Sequence, residues 1–162
     1  MCIRDSQYLE KNIEKNADQI LSSNKLDIEN AIVNDLSKPL INRLKVTEQS
    51  IAGIIKSITE IKNQPDPIGT VLQNWEQPNG LKFSKISVPL GVLGVIYESR
   101  PNVTVDASCL ALKSNNALIL RGGSDSYHTS KQLVNIITES FIEANLPKNI
   151  IQMVPTLSLI HI

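Results

Sequence analysis

The sequence predicts an α/β fold, with N-terminal helices and a β-hairpin ahead of a parallel sheet. Three observations carry this expectation. Isoleucine and leucine recur at helical spacing in the first third of the chain. An Asn-Gly pair separates two strand-like runs. From Val88 onward, short wholly apolar runs alternate with amphipathic stretches.

The elements follow in order. Leu9, Ile13, Ala17, Ile20 and Leu21 recur at helical spacing, with Glu, Lys and Asn between them. A second, short helix is expected over residues 27–36. Ser37 is the candidate N-cap of "SKPLINRL", with Pro39 inside its first turn. Thr47 caps the next helix, where Ile51, Ile54, Ile55, Ile58 and Ile61 make one apolar stripe, read as a packing face. "NQPDPIG" then breaks the helical pattern. "GTVLQNWEQ" and "LKFSKISV" flank Pro78-Asn79-Gly80, a hairpin signal because Asn and Gly both tolerate positive φ. Trp75 is read as packing on the core, with a subunit contact as the alternative.

"LGVLGVIY" and "NALILR" read as buried strands and "IIQMVPT" as a third. Between them, Val103, Ala107, Leu110 and Ala111 mark one helix, and Leu133, Val134, Ile136, Ile137, Phe141 and Ile142 mark another, ended by Pro147. Strands apolar on both faces, joined by such helices, imply a parallel sheet covered on both sides with right-handed crossovers.

The totals exclude several classes. A chain of 162 residues suits one domain or part of a larger one, and 41% hydrophobic content suffices for a core. Zero net charge and 4% aromatics give no reason to expect a nucleic-acid or anionic-membrane partner. No apolar run approaches the ~20 residues of a bilayer span, and no signal-peptide h-region follows the first basic residue. Cys2 and Cys109 make neither a disulfide framework nor a zinc site. A cytoplasmic protein is expected.

The termini read as artefacts. Leu157 to Ile162, "LSLIHI", can be encoded CTG TCT CTT ATA CAC ATC. Its reverse complement, shifted by one base, reads ATG TGT ATA AGA GAC AG, which encodes "MCIRD" and opens a serine codon. Both ends resemble a transposase end used in DNA library preparation. Residues 1–6 and 157–162 are therefore expected to be adapter-derived. The remainder divides into an N-terminal helical part (7–64), a linker and β-hairpin (65–87), and the first half of an α/β domain (88–156).

Residues 98–102 and 121–126 follow two successive strands at their carboxyl ends, the edge where open α/β sheets bind ligands. Arg100 and Arg121, with backbone N–H groups near helix starts, make a positive concavity suited to phosphate. Gly122-Gly123 permits close approach to the backbone. The G-x-G-x-x-G fingerprint is absent, and "GVLGV" lies inside a strand. Residue by residue, alternatives stay open. Taken alone, Arg100 reads rather more as a surface arginine before a proline, and Asn102 equally as the cap of the following helix and Gly122-Gly123 equally as a turn. Asp106 reads as a solvated or capping group, His128 as solvent-facing, and Cys109 as a buried small hydrophobe. No Ser/His/Asp arrangement and no metal-ligand spacing appears, so no metal is expected.

"VPLGVLGVIYESRPNVTVDASCLALKSNNALILRGGSDS" resembles the gamma-glutamyl phosphate reductases (glutamate-5-semialdehyde dehydrogenases) of the aldehyde dehydrogenase superfamily. "LSKPLINRLKVT", "PDPIGTVLQNWEQPNGLKFSKISVPLGV" and "ANLPKNIIQMVPT" resemble the same family in the same order. Asn115-Asn116 departs from the usual Gly-Asn. The resemblance implies a partial Rossmann-like sheet of the aldehyde dehydrogenase type and NADPH-dependent reduction of L-glutamyl 5-phosphate to L-glutamate 5-semialdehyde and phosphate, in L-proline biosynthesis. A cysteine thiolate displaces phosphate in that family, and hydride then reduces the thioester. The resemblance assigns Arg100 to substrate phosphate or carboxylate and Asn102 to orientation or oxyanion donation. It assigns Arg121 to the cofactor ribose or 2′-phosphate, with Gly122, Gly123 and Ser124 lining the cofactor cleft. The nucleophilic cysteine matches neither Cys2 nor Cys109 and is expected downstream, so this chain alone is expected to be inactive. A homo-oligomer and contact with glutamate 5-kinase are the implied partnerships. The reductase part of a bifunctional pyrroline-5-carboxylate synthase, or a non-catalytic nucleotide-binding module, are the rival readings.

Overall fold

The computed structural model describes residues 3–155. Two helices open the chain, α1 (Ile3–Lys15) and α2 (Ala17–Val33). The break between them falls at Asn16, and α2 runs on to Val33, so residues 27–33 continue it rather than form the separate short helix expected over 27–36. The Asn12 carbonyl accepts from both the backbone amide of Asn16 at 3.0 Å and its Nδ2 at 2.7 Å. Helix α1 continues through the segment expected to be adapter-derived, with Asp5 and Ser6 buried. The corresponding expectation for 157–162 lies outside the described residues, as do Cys2 and His161.

Helix α3 (Lys38–Leu44) starts after Ser37 with Pro39 in its first turn, although the Ser37 side chain makes no capping bond. Helix α4 (Glu48–Asn63) opens on a reciprocal cap, in which Thr47 accepts from the Ser50 amide and Ser50 from the Thr47 amide. Its Ile51, Ile54, Ile58 and Ile61 are buried and Ile55 half-buried. They pack in one core with Leu9 and Ile13 of α1 and Ile20 of α2.

Strands β1 (Val71–Glu76) and β2 (Lys82–Ile86) form an antiparallel hairpin. Of the Asn79-Gly80 pair only Gly80 has positive φ, at 85°. The Gly80 amide donates to the Gln77 carbonyl at 2.9 Å, so Pro78 takes the second position of a four-residue turn, where its fixed φ belongs. Every residue of both strands is exposed. Trp75 therefore does not pack on the core. It is 41% exposed and stacks on Phe83 across the hairpin, ring centroids 5.2 Å apart.

Strand β3 (Val92–Ile96), helix α5 (Asn102–Lys113), β4 (Ala117–Arg121), helix α6 (Tyr127–Glu143) and β5 (Ile151–Met153) alternate as expected. The strands pair in parallel in the order β3-β4-β5. Among the described residues the helices cover one face of the sheet. Crossovers of one hand that step the same way across a sheet place both helices on the same face. Leu118 and Leu120 are accordingly buried, while Val92, Ile96 and Ile119 of the other face are 66%, 76% and 42% exposed.

Three helices end alike. After α2, α5 and α6 the residues Asp35, Asn115 and Asn145 adopt φ of 54°, 54° and 62°. The next amide in each case returns to the helix: Leu36 to Ala31, Asn116 to Ala111 and Leu146 to Phe141. This explains the Asn115-Asn116 departure. Asn115 fills the left-handed position that glycine otherwise takes, and asparagine is the side chain that best tolerates it.

Cys109 sits fully buried in α5 among these apolar groups. Burial pushes its thiol from 9.0 up to about 12, with the charges of Asp106 and Glu10 adding to the rise. The thiol stays protonated at neutral pH. Because the folded value is raised, its contribution is full below pH 9 and declines as pH climbs toward 12. Cys109→Ala removes that titration. The stability gap between wild type and variant, from urea unfolding at stepped pH, is expected to hold constant below pH 9 and shrink above it by up to about 1.4 kcal/mol per pH unit.

Candidate functional site

The parallel register places Ile96 opposite Arg121, and the Tyr97 amide donates to the Arg121 carbonyl at 3.1 Å. Strands β3 and β4 therefore end flush, and their following turns share one rim of the sheet. The turns also touch. A Cβ on Gly122 would lie 3.1 Å from Tyr97 Oη and 3.5 Å from Ser130 Oγ, and one on Gly123 would lie 3.5 Å from the Glu98 Cα. Neither glycine has positive φ. Their bareness lets the second turn press against the first. Tyr97 Oη pairs with Thr104 Oγ1 at 2.6 Å, tying the rim to the first turn of α5. Ser99, held at φ 47°, donates its hydroxyl to Asp125 at 3.4 Å.

The site residues differ in exposure. Arg100 and Asn102 are exposed, as is Ser124, whose hydroxyl donates to Asp125 Oδ1 at 3.3 Å. Arg121 is only 8% exposed, and its Nη1 donates to the Gly122 carbonyl. Asn102 is not the cap of α5. Pro101 holds that position, and Asn102 Nδ2 reaches Asp106 Oδ2 at 3.4 Å instead. Asp106, half-buried, also accepts from Ser57 Oγ of α4 at 2.9 Å, so it joins two helices while still facing the cleft. A cleft of about 310 Å³ opens here, lined by Asn102 and Asp106 on one side and by Arg43, Lys45, Gly53 and Ser57 on the other. His128 is exposed, its ring edge-on to Tyr127. Among the described residues no three His, Cys, Asp or Glu side chains converge as a metal site, and no helix is long and apolar enough to cross a membrane.

The gamma-glutamyl phosphate reductase of Bartonella bacilliformis is 49% identical over 89% of this chain and 35% of its own length. The gamma-glutamyl phosphate reductase structure from Thermotoga maritima superposes with a TM-score of 0.89 at 33% identity, covering 96% of this chain and 37% of that one.

The chain is similar to gamma-glutamyl phosphate reductases over nine-tenths of its own length.

It spans about a third of the length of the curated reductases it matches. A propionaldehyde dehydrogenase from Clostridium phytofermentans shares the wider aldehyde dehydrogenase fold, with a TM-score of 0.62 at 17% identity over 96% of this chain and 32% of that one. No protein-family model matches the chain.

What positions these two turns was not visible in the sequence motifs. The buried Asp27 carboxylate of α2 accepts from the amides of His128 and Thr129 at 3.0 and 2.8 Å and from Thr129 Oγ1 at 2.6 Å. It caps α6 from another helix. Asn24, one turn earlier, donates to Thr129 Oγ1 at 3.2 Å and to the Leu44 carbonyl at 2.8 Å, and accepts from the Val46 amide at 2.8 Å.

Two outcomes follow for stability. Asp27→Ala strands one buried and one part-buried amide and a buried hydroxyl and is expected to lower the urea unfolding free energy by about 2–4 kcal/mol. Gly122→Ala drives a methyl into a tyrosine that its bond to Thr104 holds in place, with an expected loss of about 1–3 kcal/mol in the same measurement.

Proposed function

We propose that this chain is part of an NADPH-dependent reductase that converts L-glutamyl 5-phosphate to L-glutamate 5-semialdehyde and phosphate, in the cytoplasmic synthesis of L-proline. The supporting observation is the contact of two strand-end turns on one sheet rim, in a chain 49% identical to a gamma-glutamyl phosphate reductase. The first turn brings substrate-binding groups. The exposed Arg100 guanidinium suits the phosphate or carboxylate of the substrate through paired N–H donors. The amide of Asn102 orients the acyl group and donates to its developing oxyanion.

The second turn is the cofactor side by the type of its groups. Arg121 carries a guanidinium of the kind suited to the 2′-phosphate, buried here against the Gly122 carbonyl, Ser124 an exposed hydroxyl, and Gly122 and Gly123 add no side chain to the turn. The nearby Asp125 carboxylate is engaged by the hydroxyls of Ser99 and Ser124. When bound, the cofactor supplies hydride to the acyl carbon. The nucleophilic thiolate comes from outside residues 1–162, since Cys109 is buried and protonated. The exposed apolar hairpin supports a homo-oligomer through Trp75 and Phe83. Contact with glutamate 5-kinase accords with an acyl phosphate that water hydrolyses.

Two measurements test the reading. In the complete reductase, Arg121→Ala is expected to weaken NADPH about tenfold or more, beyond the effect of losing a surface charge. Unchanged NADPH affinity by fluorescence titration removes the assigned role. The 162-residue chain alone is expected to give no steady-state reduction, and turnover by it would contradict an external nucleophile.

A further inference from the structure

We infer that the cleft between α3–α4 and the first turn of α5 binds the amino-acid end of the substrate, with Arg43 and Lys45 taking the α-carboxylate and Asp106 the α-ammonium. The identity of the substrate rests on the reductase reading above; the zwitterion chemistry of the cleft stands on its own walls. The cleft of about 310 Å³ falls at the lower end of the range of small-molecule sites. One wall is cationic. Arg43 lies in the last turn of α3 and Lys45 is its C-cap, both exposed. The facing wall carries Asp106, positioned by the Ser57 hydroxyl and the Asn102 amide. Both partners are neutral, so the carboxylate charge is not compensated. Among the described residues no ion pair includes Arg43, Lys45 or Asp106. Charges of both signs, left unpaired across one cleft, suit a ligand that carries carboxylate and ammonium on the same carbon.

The backbone keeps this space open. Gly53 sits inside α4, where glycine is an unfavourable helix residue. A Cβ there would meet nothing within 4 Å, so packing does not require glycine. A side chain at that point would instead enter the cleft. Asn102 belongs to both the cleft and the turn that carries Arg100. A substrate with its amino-acid end between Arg43 and Asp106 therefore has its reactive end at the sheet rim.

Calorimetric titration of L-glutamate, and separately of glutarate, into the 162-residue chain tests this. Wild type is expected to prefer L-glutamate. The double variant Arg43→Gln/Lys45→Gln should weaken L-glutamate about tenfold or more, and Asp106→Asn should abolish the preference over glutarate. Gly53→Leu should block both ligands without lowering the unfolding midpoint. Failure of wild type to bind L-glutamate, or equal affinities in all variants, overturns the proposal. A separate assay of L-glutamyl 5-phosphate reduction by the complete enzyme decides the reductase reading, and its failure leaves the titration result standing.

Discussion

The carboxylate of Asp27 is the constraint on which the rest of the arrangement turns. A buried carboxylate is costly unless its oxygens are filled, and Asp27 fills them with the first free amides of α6 and a hydroxyl. The positive end of the helix dipole adds to the match. Asn24, three residues earlier on the same helical face, uses both ends of its amide to hold Leu44 and Val46. One turn of α2 thus fixes the start of α6, which follows the Arg121–Ser126 turn, and the link between α3 and α4, which carries Lys45. The cofactor side of the rim and the cationic wall of the cleft are registered against each other through a single helical turn.

Packing rather than ligand chemistry explains much of the rim. Gly122 and Gly123 are bare because Tyr97, Ser130 and the Glu98 backbone lie against them. Ser99 is forced into a left-handed conformation that serine rarely adopts, and its burial and its bond to Asp125 offset that cost. A glycine pair after a strand is therefore ambiguous by nature. It permits close approach, and the approaching group can be the protein itself.

Much of this was legible in the sequence. Helical spacing identified the isoleucine stripe of α4, and local chemistry identified the Thr47 cap, because both signals act within one or two turns. Alternating apolar runs gave the parallel sheet, and the quoted motifs gave the family. Three things were not legible. The break at Asn16 is a local change of backbone dihedrals, which apolar spacing does not record. That α5 and α6 share one face follows from strand order, which apolar runs do not encode. Asp27 and Asn24 meet α6 across about a hundred residues of chain, and nothing local separates them from solvated polar residues on a helix. The tie of Asp106 to Ser57 was hidden for the same reason, since Ser57 lies on another helix.

Side-chain anchors hold the site as well as strand pairing does. Among the described residues β3 pairs with β4, and the turn that carries Arg100 and Asn102 grows directly from its end. Tyr97 fastens that end. It is buried just after the strand, its hydroxyl bonds Thr104 in α5, and its ring lies against Gly122 just after β4. Strand, helix and neighbouring turn are locked by one side chain at the point where substrate-binding residues begin. The placement of Arg100 and Asn102 thus depends on the sheet and on a tyrosine that fits only because its neighbour is glycine.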